Sequence, residues 1–266
     1  MDFATIVGII LAVFSLLFSV VLDGGHLVAL INVPAAVIVF GGTIGATMAC
    51  FSITDVKKLP AWLSIALKDK KNDAHELIRT VVSLAETARR EGILKLENML
   101  DELDNDFLKQ GITLVIDGTD YEVTKAILRT EVELMQERHH VGIKFFESAG
   151  GYAPTMGIIG TVMGLVHVLG KLSETNSLGS AIATAFIATF YGVSSANIFW
   201  LPISAKLKAR SANEVISREI IMEGVLAIQS GESPRIIEDR LKSFLPPKER
   251  HKEVEKAVDM ISASKG

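Results

Sequence analysis

Residues Ala149–Gly170 read AGGYAPTMGIIGTVMGLVHVLG. The stretch carries no Asp, Glu, Lys or Arg, and a helix of about 20 such residues crosses a hydrocarbon core of about 30 Å. An inert anchor needs only leucine and isoleucine. This one is built on glycine and adds Pro154, Thr155, Thr161 and His167, groups that gain nothing from contact with lipid chains. The composition therefore describes a helix buried against other helices.

Three more charge-free runs have the same length class: Phe3–Leu22, Leu27–Ile53 and Leu178–Ser204. Hydrophobic residues make up 49% of the 266-residue chain and charged ones 22%, and the apolar ones concentrate in these runs. The fold class this predicts is an all-α polytopic membrane protein with four transmembrane helices and a helical cytoplasmic part. The first run lacks a basic leader and a small-residue cleavage site, so it reads as a retained span and not a signal peptide. Cys50 is the single cysteine, which excludes an intramolecular disulfide. Basic residues alternate with acidic ones, a pattern that does not fit nucleic acid.

Lysine and arginine set the orientation. Residues 54–148 hold 14 of them and residues 205–266 hold 12, while Lys171 is the one left between the third and fourth runs. The near-membrane cations Lys57, Lys58, Lys144, Lys206, Lys208 and Arg210 place both polar segments and both termini on the cytoplasmic side. The expected organisation is 1–53 as spans one and two, 54–148 as a cytoplasmic helical domain, 149–204 as spans three and four, and 205–266 as cytoplasmic C-terminal helices.

Within the polar segments, Leu77, Val81, Leu84 and Ala88 recur with a helical period across Asp73–Glu91. After Gly92, ILKLENMLDELD resumes the same period. Gly111 and Asp117–Gly118 are turn signals, and from Tyr121 an amphipathic helix runs without proline to Ala153, so helix and third span read as one rod. The fourth span reads straight into a helix closed by Gly231; Pro234 opens another, ended by Pro246–Pro247.

The small residues in spans three and four fall at helical spacing: Ala153, Gly157 and Thr161, with Gly160 and Gly164; then Ala181, Ala185 and Thr189, with Ala188, Gly192 and Ala196. In lipid, close backbone approach drives helix association, and such stripes supply it. Pro154 and Pro202 each remove a helical hydrogen bond, freeing the carbonyls of Gly150 and Ile198; hinge and packing roles both fit. Thr161 and Thr189 place hydroxyls near mid-span, where bonding back to their own helix is the plain alternative to lining a pathway. No carboxylate occurs in any span. Cation pathways usually need an acid, so if the chain conducts a cation, a partner chain must supply it. His167 reads first as a neutral, hydrated side chain and second as a relay. An intramembrane enzyme is excluded by residue type: the chain has no intramembrane aspartate pair, no HExxH and no serine nucleophile with a base.

The phrases NVPAAVIVFGGTIGA (Asn32–Ala46), ARREGILKLE (Ala88–Glu97), GGYAPTMGIIGTVMGLVHVLG (Gly150–Gly170) and ATFYG (Ala188–Gly192) followed by Pro202 resemble, in order and spacing over nearly the whole chain, the MotA family, the channel subunit of the flagellar stator. The resemblance implies a multi-pass protein of the bacterial inner membrane that is no enzyme and needs no cofactor or metal. It implies a homo-oligomeric, pentameric ring around a MotB-type partner whose single span supplies the ion-binding aspartate. Arg89 and Glu97, with Arg90 beside them, match the charges that contact the rotor protein FliG. Pro154 and Pro202 match the prolines that couple ion passage to movement, and Thr189 matches the hydroxyl facing the partner aspartate. Threonine at position 161 resembles sodium-driven PomA or MotP relatives, His167 some proton-driven ones; protons are the expected ion and sodium the alternative. An ExbB- or TolQ-like energiser, which has three spans, and a purely structural membrane oligomer are the remaining alternatives.

Overall fold

The computed structural model describes residues 3–68, 74–170 and 178–247. The turn holding Lys171, Asp73, the end of the tail from residue 248 and the side chain of Ala181 lie outside the described residues. The chain divides into two compact units, Met1–Lys70 with Glu137–Arg210, and Lys71–Gln136 with Ser211–Gly266. Among the described residues there is helix and no strand.

The first unit holds the four spans. Helix α1 (Phe3–Leu22) exposes Leu11, Phe14 and Leu22 among its apolar side chains and half-buries one stripe, Ile9, Ala12, Leu16 and Val20, as a helix at the lipid edge of a bundle should. The second span is assembled from α2 (Val33–Ala36), a π turn (Val37–Gly41) and α3 (Gly42–Ala49). Asn32 caps it, its side chain accepting from the Ala35 amide, with Pro34 in the first turn where a missing N–H costs nothing. Two short helices follow, α4 (Ile53–Val56) and α5 (Leu59–Leu67). Ser52 caps α4, and its hydroxyl together with the Lys58 ammonium, 2.9 Å from Asp55, holds the Asp55 carboxyl below its usual pKa.

The second unit begins with α6 (Ala74–Glu91), whose Val81 and Leu84 are fully buried and whose Leu77 and Ala88 are half-buried, the face the period predicted. Gly92 adopts φ +91°, a conformation that favours glycine, and the chain re-enters as a 3₁₀ helix over Ile93–Glu102. This differs from the continuing period read in the sequence. Over ten residues, periods of 3.0 and 3.6 select nearly the same apolar positions: Ile93, Leu96 and Met99 still turn inward, with Leu96 fully buried. Helix α7 (Asp106–Ile116) is capped by Asn105, which accepts from the amides of Phe107 and Leu108.

Helix α8 (Tyr121–Leu169) is a single rod of 49 residues, as the proline-free run predicted, and supplies residues to both units. Helix α9 (Leu178–Ser195), a π turn (Ala196–Trp200) and α10 (Leu201–Gln229) carry the fourth span onward. Gly231 at φ +71° ends that run, and α11 (Pro234–Lys242) follows, capped by Ser233. In the second unit α6, α7, α10 and α11 enclose a core of Val81, Leu84, Leu108, Ile221 and Leu241. Arg218 seals its edge, 3.0 Å from Glu131 and over the Phe107 ring at 4.8 Å.

Gly224 of α10 lies where a Cβ would press directly into Val81 Cγ1. Gly224→Ala is expected to cost about 1–3 kcal/mol through overpacking, and adding Val81→Ala should recover part of it. Denaturant midpoints of the single and double variants check this coupling.

Candidate functional site

The third and fourth spans meet backbone to backbone. A Cβ at Gly157 would stand 2.9 Å from the Ala188 carbonyl oxygen and 3.1 Å from the Thr189 Cα, and one at Gly192 would stand 2.5 Å from the Ala153 carbonyl oxygen. Further along, Gly160 faces the Ala188 methyl and Gly164 faces Ala185. The two stripes predicted from spacing are thus the two sides of one seam. The second span joins it: a Cβ at Gly42 would lie 2.8 Å from Met156 Sδ, and Ala35, Val39 and Ala188 form a small buried cluster.

Within the seam, Thr161 and Thr189 come together. Their hydroxyl oxygens are hydrogen-bonded, and Thr161 Oγ1 also lies 2.9 Å from the Ala185 carbonyl and 3.1 Å from the Gly157 carbonyl. Each hydroxyl has one proton. The arrangement that satisfies both has Thr189 donating to Thr161, and Thr161 donating to a carbonyl, across the seam to Ala185 or back to Gly157. Four oxygens converge, and both threonines are half-buried.

Pro154 sits inside α8, which continues through it without a break; the neighbouring Ala153 carbonyl is the one pressed against Gly192. Pro202 is the second residue of α10, directly after the π turn Ala196–Trp200. The wider turn relieves the crowding its ring imposes on the Ile198 carbonyl. The Trp200 indole N–H is buried there with no hydrogen-bond partner among the described residues. Both prolines are half-buried. His167 is exposed on α8 and lines a cavity of about 510 Å³ with Pro34, Met163 and Thr184.

In the other unit, Arg89 and Arg90 occupy the last turn of α6, and Glu97 lies on the 3₁₀ helix. All three are exposed.

Sequence reasoning missed a polar clamp. The Asn32 amide N–H donates to Tyr191 Oη at 3.1 Å, Asn32 Nδ2 donates to Thr184 Oγ1 at 3.1 Å, and the Tyr191 hydroxyl donates to the Leu30 carbonyl. It fixes the start of the second span to the fourth. Asn32 before Val-Pro was legible as a cap, and Tyr191 as the one tyrosine of the fourth span, but no pattern joined them. Within the same unit, Phe51, Trp62 and Trp200 pack around Phe145 and Phe146, with ring centroids 5.2–6.2 Å apart.

Comparison with known proteins bears directly on this seam of spans. Residues 99–220 match the MotA/TolQ/ExbB proton channel family, and residues 6–92 match the family described as Motility protein A N-terminal. The chain belongs to the MotA/TolQ/ExbB proton channel family. It is 40% identical over 253 residues to Motility protein A of Bacillus subtilis (strain 168), covering 95% of this chain and 94% of that one. It is 36% identical to Chemotaxis protein PomA of Vibrio alginolyticus, over 96% of this chain and all of that one, 100%. The solved flagellar MotAB stator complex from Bacillus subtilis matches with a TM-score of 0.87 and 39% identity, covering 94% of this chain and 98% of that one. The C. jejuni MotAB structure matches with a TM-score of 0.89 and 30% identity, over 94% and 98%. As a member of this channel family, the chain is a non-enzymatic, multi-pass membrane protein that couples to an ion without a cofactor.

The seam generates a steric expectation. Gly192→Ala drives a methyl onto the Ala153 carbonyl, which belongs to the backbone and cannot turn aside, whereas Gly45→Ala meets open space. Thermal unfolding in detergent should show Gly192→Ala clearly destabilised and Gly45→Ala near wild type. Equal melting of the two would mean that the spans sit further apart than described.

Proposed function

We propose that this chain is the channel subunit of a bacterial flagellar stator: copies of it form a ring, a pentamer in the reading adopted here, around a MotB-type partner, and ion flow between them is converted into torque on the rotor protein FliG for swimming and chemotaxis. The observation that carries this is the combination of a polar, close-packed seam with four spans that hold no carboxylate. A proton or metal ion cannot pause in hydrocarbon without an anionic or strongly polar ligand, so Thr161 and Thr189 supply one wall and the partner's aspartate the other. Relatives solved as MotAB complexes support the same pairing.

In this reading 149–204 is the partner-facing channel, 1–53 its lipid-side support, 54–148 the rotor-facing domain and 205–266 its C-terminal completion. Both termini and both polar segments lie in the cytoplasm. Pro154 and Pro202 convert occupancy of the site into movement. The carbonyls they release and the unpaired Trp200 N–H leave this region with groups whose bonding is free to change as the helices bend. Arg89, Arg90 and Glu97 pass the movement to the rotor.

Protons are the coupling ion in the leading reading, supported by the family's description. Sodium is the second reading, favoured by the oxygens gathered at Thr161: two hydroxyls and two backbone carbonyls form a donor set suited to a hard cation.

The test is ion flux into liposomes carrying this chain alone, the chain with its MotB-type partner, and the chain with a partner whose aspartate is replaced by asparagine. Flux is expected only in the second, at a rate set by the pH gradient and indifferent to sodium. Flux from the chain alone would overturn the shared channel. Flux that requires sodium at constant pH would replace the proton reading with the sodium one.

A further inference from the structure

Several charges of the second unit are paired with one another. Arg218 meets Glu131, Arg240 meets Glu232 at 2.7 Å, Arg129 meets Glu133 at 3.0 Å, and Lys95 reaches Glu91 at 4.0 Å. Arg89, Arg90 and Glu97 are exposed and make no ion pair among the described residues. Between them in the chain stands Leu94, 73% exposed, more than Ile236 at 55% or Leu134 at 54%, the next most exposed large apolar side chains among the described residues of the unit. Single exposed leucines are ordinary on protein surfaces. What distinguishes this one is how it is held.

Gly92 at φ +91° turns the chain out of α6 one residue past the two arginines, after Glu91, whose charge is taken up by Lys95, and the 3₁₀ helix begins at the next residue. With three residues per turn, positions i and i+3 eclipse. The stripe Ile93, Leu96, Met99 faces the core, with Leu96 fully buried, and this locks the rotation of the segment. The neighbouring stripe then aligns Leu94 with Glu97 on the outer side. The result is an apolar knob on a rigid turn, with two unpaired cations before it and an unpaired anion beside it.

We propose that Leu94 is the apolar anchor of the rotor contact, a role that rests on the stator reading above. The occupant it fits is a surface on the rotor protein with an apolar hollow, flanked by an acidic side chain towards Arg89 and Arg90 and a basic one towards Glu97. Exposed ion pairs alone give weak, salt-screened contacts. A leucine buried at the centre of a charged rim adds an attraction that salt does not screen, while the rim sets orientation and rejects wrong partners.

The experiment uses the full chain in complex with its MotB-type partner in lipid nanodiscs, binding to purified rotor protein at low and high salt. Leu94→Asn is expected to weaken binding about tenfold or more and to lose the residual binding at high salt, where wild type retains part of its own. Leu94→Met keeps an apolar group of similar volume and should bind within about twofold of wild type. Because Leu94 is mostly exposed, circular dichroism melts of all three should coincide. Wild-type binding and salt response in Leu94→Asn, or equal loss in Leu94→Asn and Leu94→Met, overturns the anchor. Undiminished binding after Arg89→Glu, Arg90→Glu and Glu97→Lys together overturns instead the rotor interface on which it rests.

Discussion

Where the third and fourth spans cross, Gly157 and Gly192 bring two backbones so close that a single added methyl would strike a carbonyl oxygen. In water such an approach would gain from expelling solvent from apolar surface. In lipid that gain is absent, and many short-range contacts must supply the attraction instead. Small residues serve because they let those contacts extend along the whole crossing. The seam also brings the Thr161 and Thr189 hydroxyls within hydrogen-bonding reach, which bulkier neighbours would prevent.

The same constraint explains why the polar features of the first unit gather around these helices. A hydroxyl in hydrocarbon must find an acceptor. Thr161 finds the Ala185 carbonyl across the seam, and where the second span begins the Tyr191 hydroxyl accepts from the Asn32 N–H and donates to the Leu30 carbonyl. These bonds fix register between helices that are otherwise smooth. There are exceptions: each proline lacks the N–H that would bond a carbonyl one turn back, and the Thr43 hydroxyl and the Trp200 N–H are buried with no partner among the described residues.

Much of this was legible in the sequence. The charge-free runs mark four helices, the absence of proline from Tyr121 to Ala153 predicts the long rod, and the small-residue spacing predicts both sides of the seam. Three features were not. The helix type over Ile93–Glu102 escaped because a ten-residue stretch does not separate periods of 3.0 and 3.6. The clamp of Asn32 and Tyr191 joins residues 159 apart in the chain, and periodicity reports only local order. The division into units falls at Lys70, Gln136 and Arg210, inside helical or polar stretches, because it follows packing and not the edge of an apolar run. At the site itself, residue type announced Thr161 and Thr189, but their mutual hydrogen bond is a property of the crossing alone.

The decisive question is whether those two hydroxyls act as one unit in the wall of the proposed pathway. Replacing threonine by valine keeps the shape and removes the hydroxyl, so proton flux through the assembled complex can be compared for Thr161→Val, Thr189→Val and the double variant. If the hydroxyls function as a bonded pair, either substitution disrupts both, and the double variant loses little beyond the worse single one. Independent losses that multiply in the double variant, or flux unchanged in all three, would contradict the seam as the site of ion passage.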